Sequence, residues 1–235
     1  MNRDLEHWAK PVDRLGPTEA PAGVVNANVA GRRMSGAIQG FGRMWQKTFS
    51  IRLGGIDTTP QDVVRVWKER YPDFWPKGNR FFVPQAGIAP GEVGIINASL
   101  PGAPTMATGV LVVYADDESF TFMTPEGHPF AGWITFSASA EDGVCVASVQ
   151  EFIRASDPLW ELMMATFLGR KQNQIWIHTL RQLAAHLGAT GDVETSIVCV
   201  DRRRQWSHAR NVWQNAGIRS GLGAPARWLR RARRA

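Results

Sequence analysis

Apolar and polar positions first fall into register between Trp45 and Leu53, where Trp45, Phe49, Ile51 and Leu53 alternate with Gln46, Thr48, Ser50 and Arg52. A period of two predicts a half-buried strand, and only Lys47 breaks its apolar side. The period then changes. Thr59 and Pro60 form an N-cap and first-turn pair, Asp62 suits the positive end of a helix dipole, and Val63, Val64, Trp67 and Tyr71 keep one face until Pro72. A helix is predicted there, followed by an irregular aromatic loop from Asp73 to Gly78. From Glu92 the pattern predicts a meander of short strands: Val93–Leu100, Thr108–Ala115, Ser119–Met123, Gly132–Ala138 and Val144–Arg154. The turns between them are too short for parallel crossovers, so sequential strands should pair antiparallel.

Ser156-Asp157-Pro158 marks a helix start, helical spacing runs from Leu159 to Leu187, and Gly188 closes it. Gly169 is a place where this helix can bend or break. A helix so long and one-sided needs a sheet to lie against. A further strand is expected over Glu194–Val200 and helical spacing over 205–220, while residues 1–44 are rich in Pro, Gly and Ala and show no sustained period. The chain therefore divides into an extended lead-in (1–44), a central domain (45–188), an added strand and helix (189–223) and a tail (224–235).

Composition locates the charge. The formal net charge is +6 over 235 residues, but residues 200–235 hold ten Arg and one acid, so the remainder carries −3. The basic character belongs to the C-terminal segment, and the body is mildly acidic. Cys145 and Cys199 sit in apolar runs without metal-ligand spacing and are expected to be reduced thiols. Nothing near the N-terminus resembles the apolar core of a signal peptide, and no stretch has 18 consecutive apolar residues; a cytoplasmic location is the expectation. No P-loop, HExxH or nucleophile elbow occurs, so no metal or other cofactor is expected.

The order strand, helix, meander, long helix from Trp45 to Gly188 is that of an α+β helix-grip fold, a curved antiparallel sheet wrapped around a long C-terminal helix, here with N- and C-terminal extensions. The chain resembles the START-like (SRPBCC) superfamily. Thr124-Pro125-Glu126-Gly127-His128-Pro129-Phe130-Ala131-Gly132-Trp133 and Phe74-Trp75-Pro76-Lys77-Gly78-Asn79-Arg80 resemble segments of a bacterial branch with no established activity. The resemblance implies a cavity between helix and sheet that holds an apolar small molecule or lipid. In a minority of members it implies a cyclase, dehydratase or hydrolase built there. Candidate lining residues are Tyr114, Phe120, Phe122, Trp133 and Phe136 from strands, with Met163, Met164, Phe167 and Trp176 from the helix. The same residues could equally fill a solid core.

His128 is the leading titratable candidate, because Glu126 could orient its imidazole or raise its pKa for acid–base work; the alternative is a locally bonded turn. His178 and His186, eight residues apart, do not share the i, i+4 spacing of helical zinc ligands. The tail's Arg227, Arg230, Arg231, Arg233 and Arg234, with Trp228 among them, fit a solvated charge run, an anionic membrane surface or nucleic acid.

Overall fold

The computed structural model describes residues 5–16, 28–99 and 105–222. The Arg-rich tail, with Arg227, Arg230, Arg231, Arg233 and Arg234, lies outside the described residues, as do parts of the lead-in.

Strand β1 (Met44–Arg52) leads to helix α1 (Pro60–Arg70), whose Thr59 cap accepts the Asp62 N–H at 3.1 Å. A short 3-10 turn, Tyr71–Phe74, follows, and then β2 (Asn79–Phe82), a strand the sequence pattern does not reveal. The meander comprises β3 (Val93–Ala98), β4 (Met106–Ala115), β5 (Ser119–Met123), β6 (Phe130–Glu141) and β7 (Val144–Ala155). Every adjacent pair is antiparallel.

The long helix is divided. Asp157 caps α2 (Pro158–Met163) by accepting from the Leu159 and Trp160 N–H groups. A π-helical turn over Met164–Leu168 then carries Thr166 in a non-helical conformation, and α3 (Gly169–Leu187) follows. The break comes just before the glycine expected to permit it. A Cβ at Gly169 would lie 2.4 Å from the Met164 carbonyl oxygen, so only glycine admits the close turn. Gly188, at φ +75°, ends α3 in the left-handed conformation. Strand β8 (Val193–Asp201) and helix α4 (Ala216–Leu222) complete the chain, with a 3-10 segment, Trp206–Gln214, between them.

The described strands form one open sheet in the order β2-β3-β4-β5-β6-β7-β1-β8. Alternation sends Phe49, Ile51, Phe120, Phe122, Phe136 and Val149 to the face that α1 and α3 cover, where they pack with Trp67, Tyr71, Leu180 and Leu183. Phe120 and Phe136 stack at 4.7 Å under Trp67, whose ring meets Phe136 edge-on at 5.3 Å. On the opposite face the lead-in covers β3 and β4, burying Leu15 and Val29 against Val93 and Leu111. Buried Asn28 ties both extensions to the sheet. Its Nδ2 donates to the Ala107 and Ala216 carbonyls and to Ser220 Oγ.

Candidate functional site

Between the sheet and α3 lies a cavity of about 160 Å³. Strand alternation supplies Ile96, Val110, Phe122, Ile134 and Ile153 to its walls, and helical spacing supplies Leu168, Gln172, Ile175 and Trp176. The aromatic loop after α1 closes one side with Tyr71 and Trp75, and Phe81 of β2 stands beside them. Exposed Ser99 and Lys171, with half-buried Asn79 and Ile175, place the mouth between the β2–β3 end and the start of α3.

The polar part of the wall is a buried network. Glu151 points inward from β7, and its Oε1 accepts from Gln172 Nε2 at 2.6 Å and Trp176 Nε1 at 2.9 Å. Lys47, which breaks the apolar side of β1, is 8% exposed; its Nζ donates to Gln172 Oε1 and to Asn173 Oδ1 and stands 3.7 Å from Glu151 Oε2. Burial raises the Glu151 pKa, against the opposing pull of Lys47 and the two donors. Burial lowers that of Lys47, against the attraction of Glu151. Glu151 Oε2 and Trp160 Nε1, both on lining residues, are buried and have no hydrogen-bond partner among the described residues.

His128 lines the cavity. Its Nδ1 lies 3.1 Å from both the N–H and the carbonyl of Phe130, and Nε2 has no hydrogen-bond partner among the described residues. Desolvation lowers its pKa from 6.5 to about 4 despite the Phe130 bond, so the ring is neutral at pH 7. Glu126 does not join it. The lead-in bridges this loop through Met34 and Pro125, and the Glu126 carboxylate accepts from the Arg33 N–H at 3.4 Å, away from the cavity. Gly127 between them, at φ +86°, packs against the C-terminal extension, and its carbonyl accepts the Ala216 N–H at 2.8 Å.

Of the aromatic and Met positions read from the sequence, Phe122, Met164 and Trp176 line the cavity. Trp133 borders it, yet alternation places its ring on the outer face, 5.1 Å from that of Phe152. Phe120 and Phe136 are fully buried in solid core and do not line the cavity. Tyr114 lies on the other face of β4, edge-on to Trp8 at 4.8 Å and bonded to Asp116. Met163 packs against the Trp160 cluster instead, and the Phe167 side chain lies outside the described residues. The sequence reading gave no site role to Lys47, Glu151, Gln172 or the aromatic loop. A signal for the first two existed: each is a charge on the apolar side of an otherwise alternating strand. Cys145 is buried, Cys199 is half-buried, and both are free thiols. Among the described residues no group of three or more potential ligands could hold a metal ion, and no helix is long and apolar enough to cross a membrane.

Neither a protein-family model nor a curated protein sequence matches the chain. Solved structures do. A START superfamily protein from Mycobacterium smegmatis is 16% identical with a TM-score of 0.43, over 63% of this chain and 98% of that one. The di-domain ARO/CYC StfQ from the steffimycin biosynthetic pathway is 11% identical with a TM-score of 0.48, over 62% of this chain and 51% of that one. Ara h 8.0201 is 14% identical with a TM-score of 0.44, over 60% and 97%. Likenesses at this level concern fold alone, and the assignment rests on this chain's own strand order and on the helix its sheet covers. The chain has an α+β helix-grip fold, an open antiparallel sheet with α3 across one face.

Proposed function

We propose that this protein binds a small, largely apolar molecule in the cavity between its sheet and α3. The observation that carries the reading is the cavity itself, about 160 Å³ within apolar and aromatic walls and with only a few convergent polar groups. An engineered cavity of about 150 Å³ in another protein accepts benzene, so this space takes a single ring or a short chain. Trp160 Nε1 supplies an unpaired donor that a ligand could satisfy, and Glu151 Oε2, held only by its 3.7 Å ion pair with Lys47, an acceptor without a hydrogen bond. His128 reaches the same wall as a neutral imidazole without its sequence-adjacent carboxylate, which suits it to orienting a ligand more than to acid–base chemistry.

Titration with indole, followed through the side-chain N–H resonances of Trp160 and Trp176, tests this. Saturable shifts are expected in the wild type, and their loss in a folded Val110→Phe variant, whose added ring would occupy the cavity. No saturable shift in the wild type, or unchanged binding in the variant, would overturn it.

A further inference from the structure

A second space adjoins the first. It is a cleft of about 330 Å³ between the π-helical turn and the ends of β1, β7 and β8. Its lining combines the apolar Trp45, Ile153 and Ile197 with the cations Arg43, Lys47, Arg170 and Arg204. Arg154 also borders it, but that guanidinium is committed to the Gly42 and Arg203 carbonyls and to Asp201. The one lining carboxylate, Glu161, is already paired with Arg204 at 3.1 Å. Arg43 and Arg170 are exposed and have no ion-pair partner among the described residues.

Phe130, Ile153 and Met164 line both spaces and are the partition between them. Met164 opens the π-helical turn, where Thr166 departs from helical geometry. An unbranched thioether in a locally irregular helix is the adaptable member of such a partition, and π-turns often sit at functional sites. Alone, the cavity is smaller than the roughly 300–1,000 Å³ of most ligand pockets; joined to the cleft it falls within that range.

We infer that cavity and cleft together hold one anionic amphiphile, its apolar part under α3 and its acidic head at Arg43 and Arg170. This rests on the proposed apolar cavity and adds the chemical class of its ligand. The head chemistry required is that of a carboxylate or a phosphate monoester. Guanidinium groups recognise both through paired N–H donors.

The test is calorimetric titration of the full chain with hexanoate, hexyl phosphate and the neutral hexanol, alongside Arg43→Gln/Arg170→Gln and Val110→Phe variants. At least one acidic ligand should bind at least about tenfold more tightly than hexanol, and the stronger of the two identifies the head group. The preference should vanish in Arg43→Gln/Arg170→Gln, which should still bind indole as the wild type does, and acidic-ligand affinity should fall in Val110→Phe. Equal affinity for acids and alcohol, or a preference that survives loss of both arginines, would overturn the inference while leaving the cavity reading intact if indole still binds. Arginine-dependent binding unaffected by Val110→Phe would put the whole ligand in the cleft and overturn the spanning arrangement. Absence of indole binding would count against the cavity reading separately.

Discussion

Removing one member of the Lys47–Glu151 pair should cost far more than removing both. The two groups face each other across neighbouring strands, register partners in the β1–β7 pairing, with Nζ 3.7 Å from Oε2 and exposures of 8% and 4%. At that distance an effective dielectric of about 20 gives an attraction of about 4–5 kcal/mol, which offsets the cost of burying both charges. Glu151→Gln keeps the bulk but leaves Lys47 as a buried, uncompensated cation. The expected loss is about 3–5 kcal/mol, or about 10 °C in Tm for a chain of this size. Lys47→Met leaves Glu151 with only its two neutral donors. Its carboxyl pKa, already raised by burial, should rise further, because the cation that lowered it is gone. For an acid with a raised folded pKa, the native state binds more protons than the unfolded one. Lys47→Met should therefore lose less stability at pH 5 than at pH 8. The double variant Lys47→Met/Glu151→Gln buries no charge and should lie within about 1–2 kcal/mol of wild type. Urea unfolding of the four proteins at both pH values measures the cycle. Losses below about 1 kcal/mol in both single variants would mean that the pair is solvated and that the cavity wall is not the dry surface described.

Stability should also fall as pH drops from about 6.5 toward 4, because the unfolded chain protonates His128 before the native state does. The His128 contribution is on the order of 2–3 kcal/mol, and subtracting the pH profile of a His128→Phe variant isolates it; identical profiles would refute the neutral, desolvated ring. Gly127→Ala should detach the C-terminal extension, since its Cβ would lie 2.1 Å from the Gln214 carbonyl oxygen; hydrogen exchange of the Ala216 and Arg219 amides reads the loss. Gly188→Ala, at φ +75° with open space around it, should cost only about 1–2 kcal/mol and leave those amides protected.

Local chemistry carried most of the fold. Strand β5 follows the predicted bounds, and the caps at Thr59 and Asp157 start α1 and α2 where the sequence pattern places them. The pattern missed what depends on distant contacts. Asn79–Phe82 is too short to show a period and is a strand because β3 pairs with it at the sheet edge. The helix read from Leu159 to Leu187, with Gly169 as the place where it could break, is interrupted just before that glycine, at Met164–Leu168, within a run whose composition is helical. At the site, core and cavity walls share one aromatic composition, so Phe120 and Phe122 could not be told apart by residue type; two residues along β5 separate solid core from lining. Glu126 and His128 diverge because the lead-in, almost a hundred residues upstream, bonds the glutamate. Lys47 and Glu151 were visible as interruptions of alternation, but their meeting required the β1–β7 register.

The central claim is that an apolar ligand space exists under α3, and xenon reports on such a space directly, because it enters apolar cavities without needing a specific ligand. Crystals of the wild-type chain pressurised with xenon should show an anomalous peak among Phe122, Ile134 and Trp176. A peak confined to other parts of the molecule, or none at all, would contradict the account.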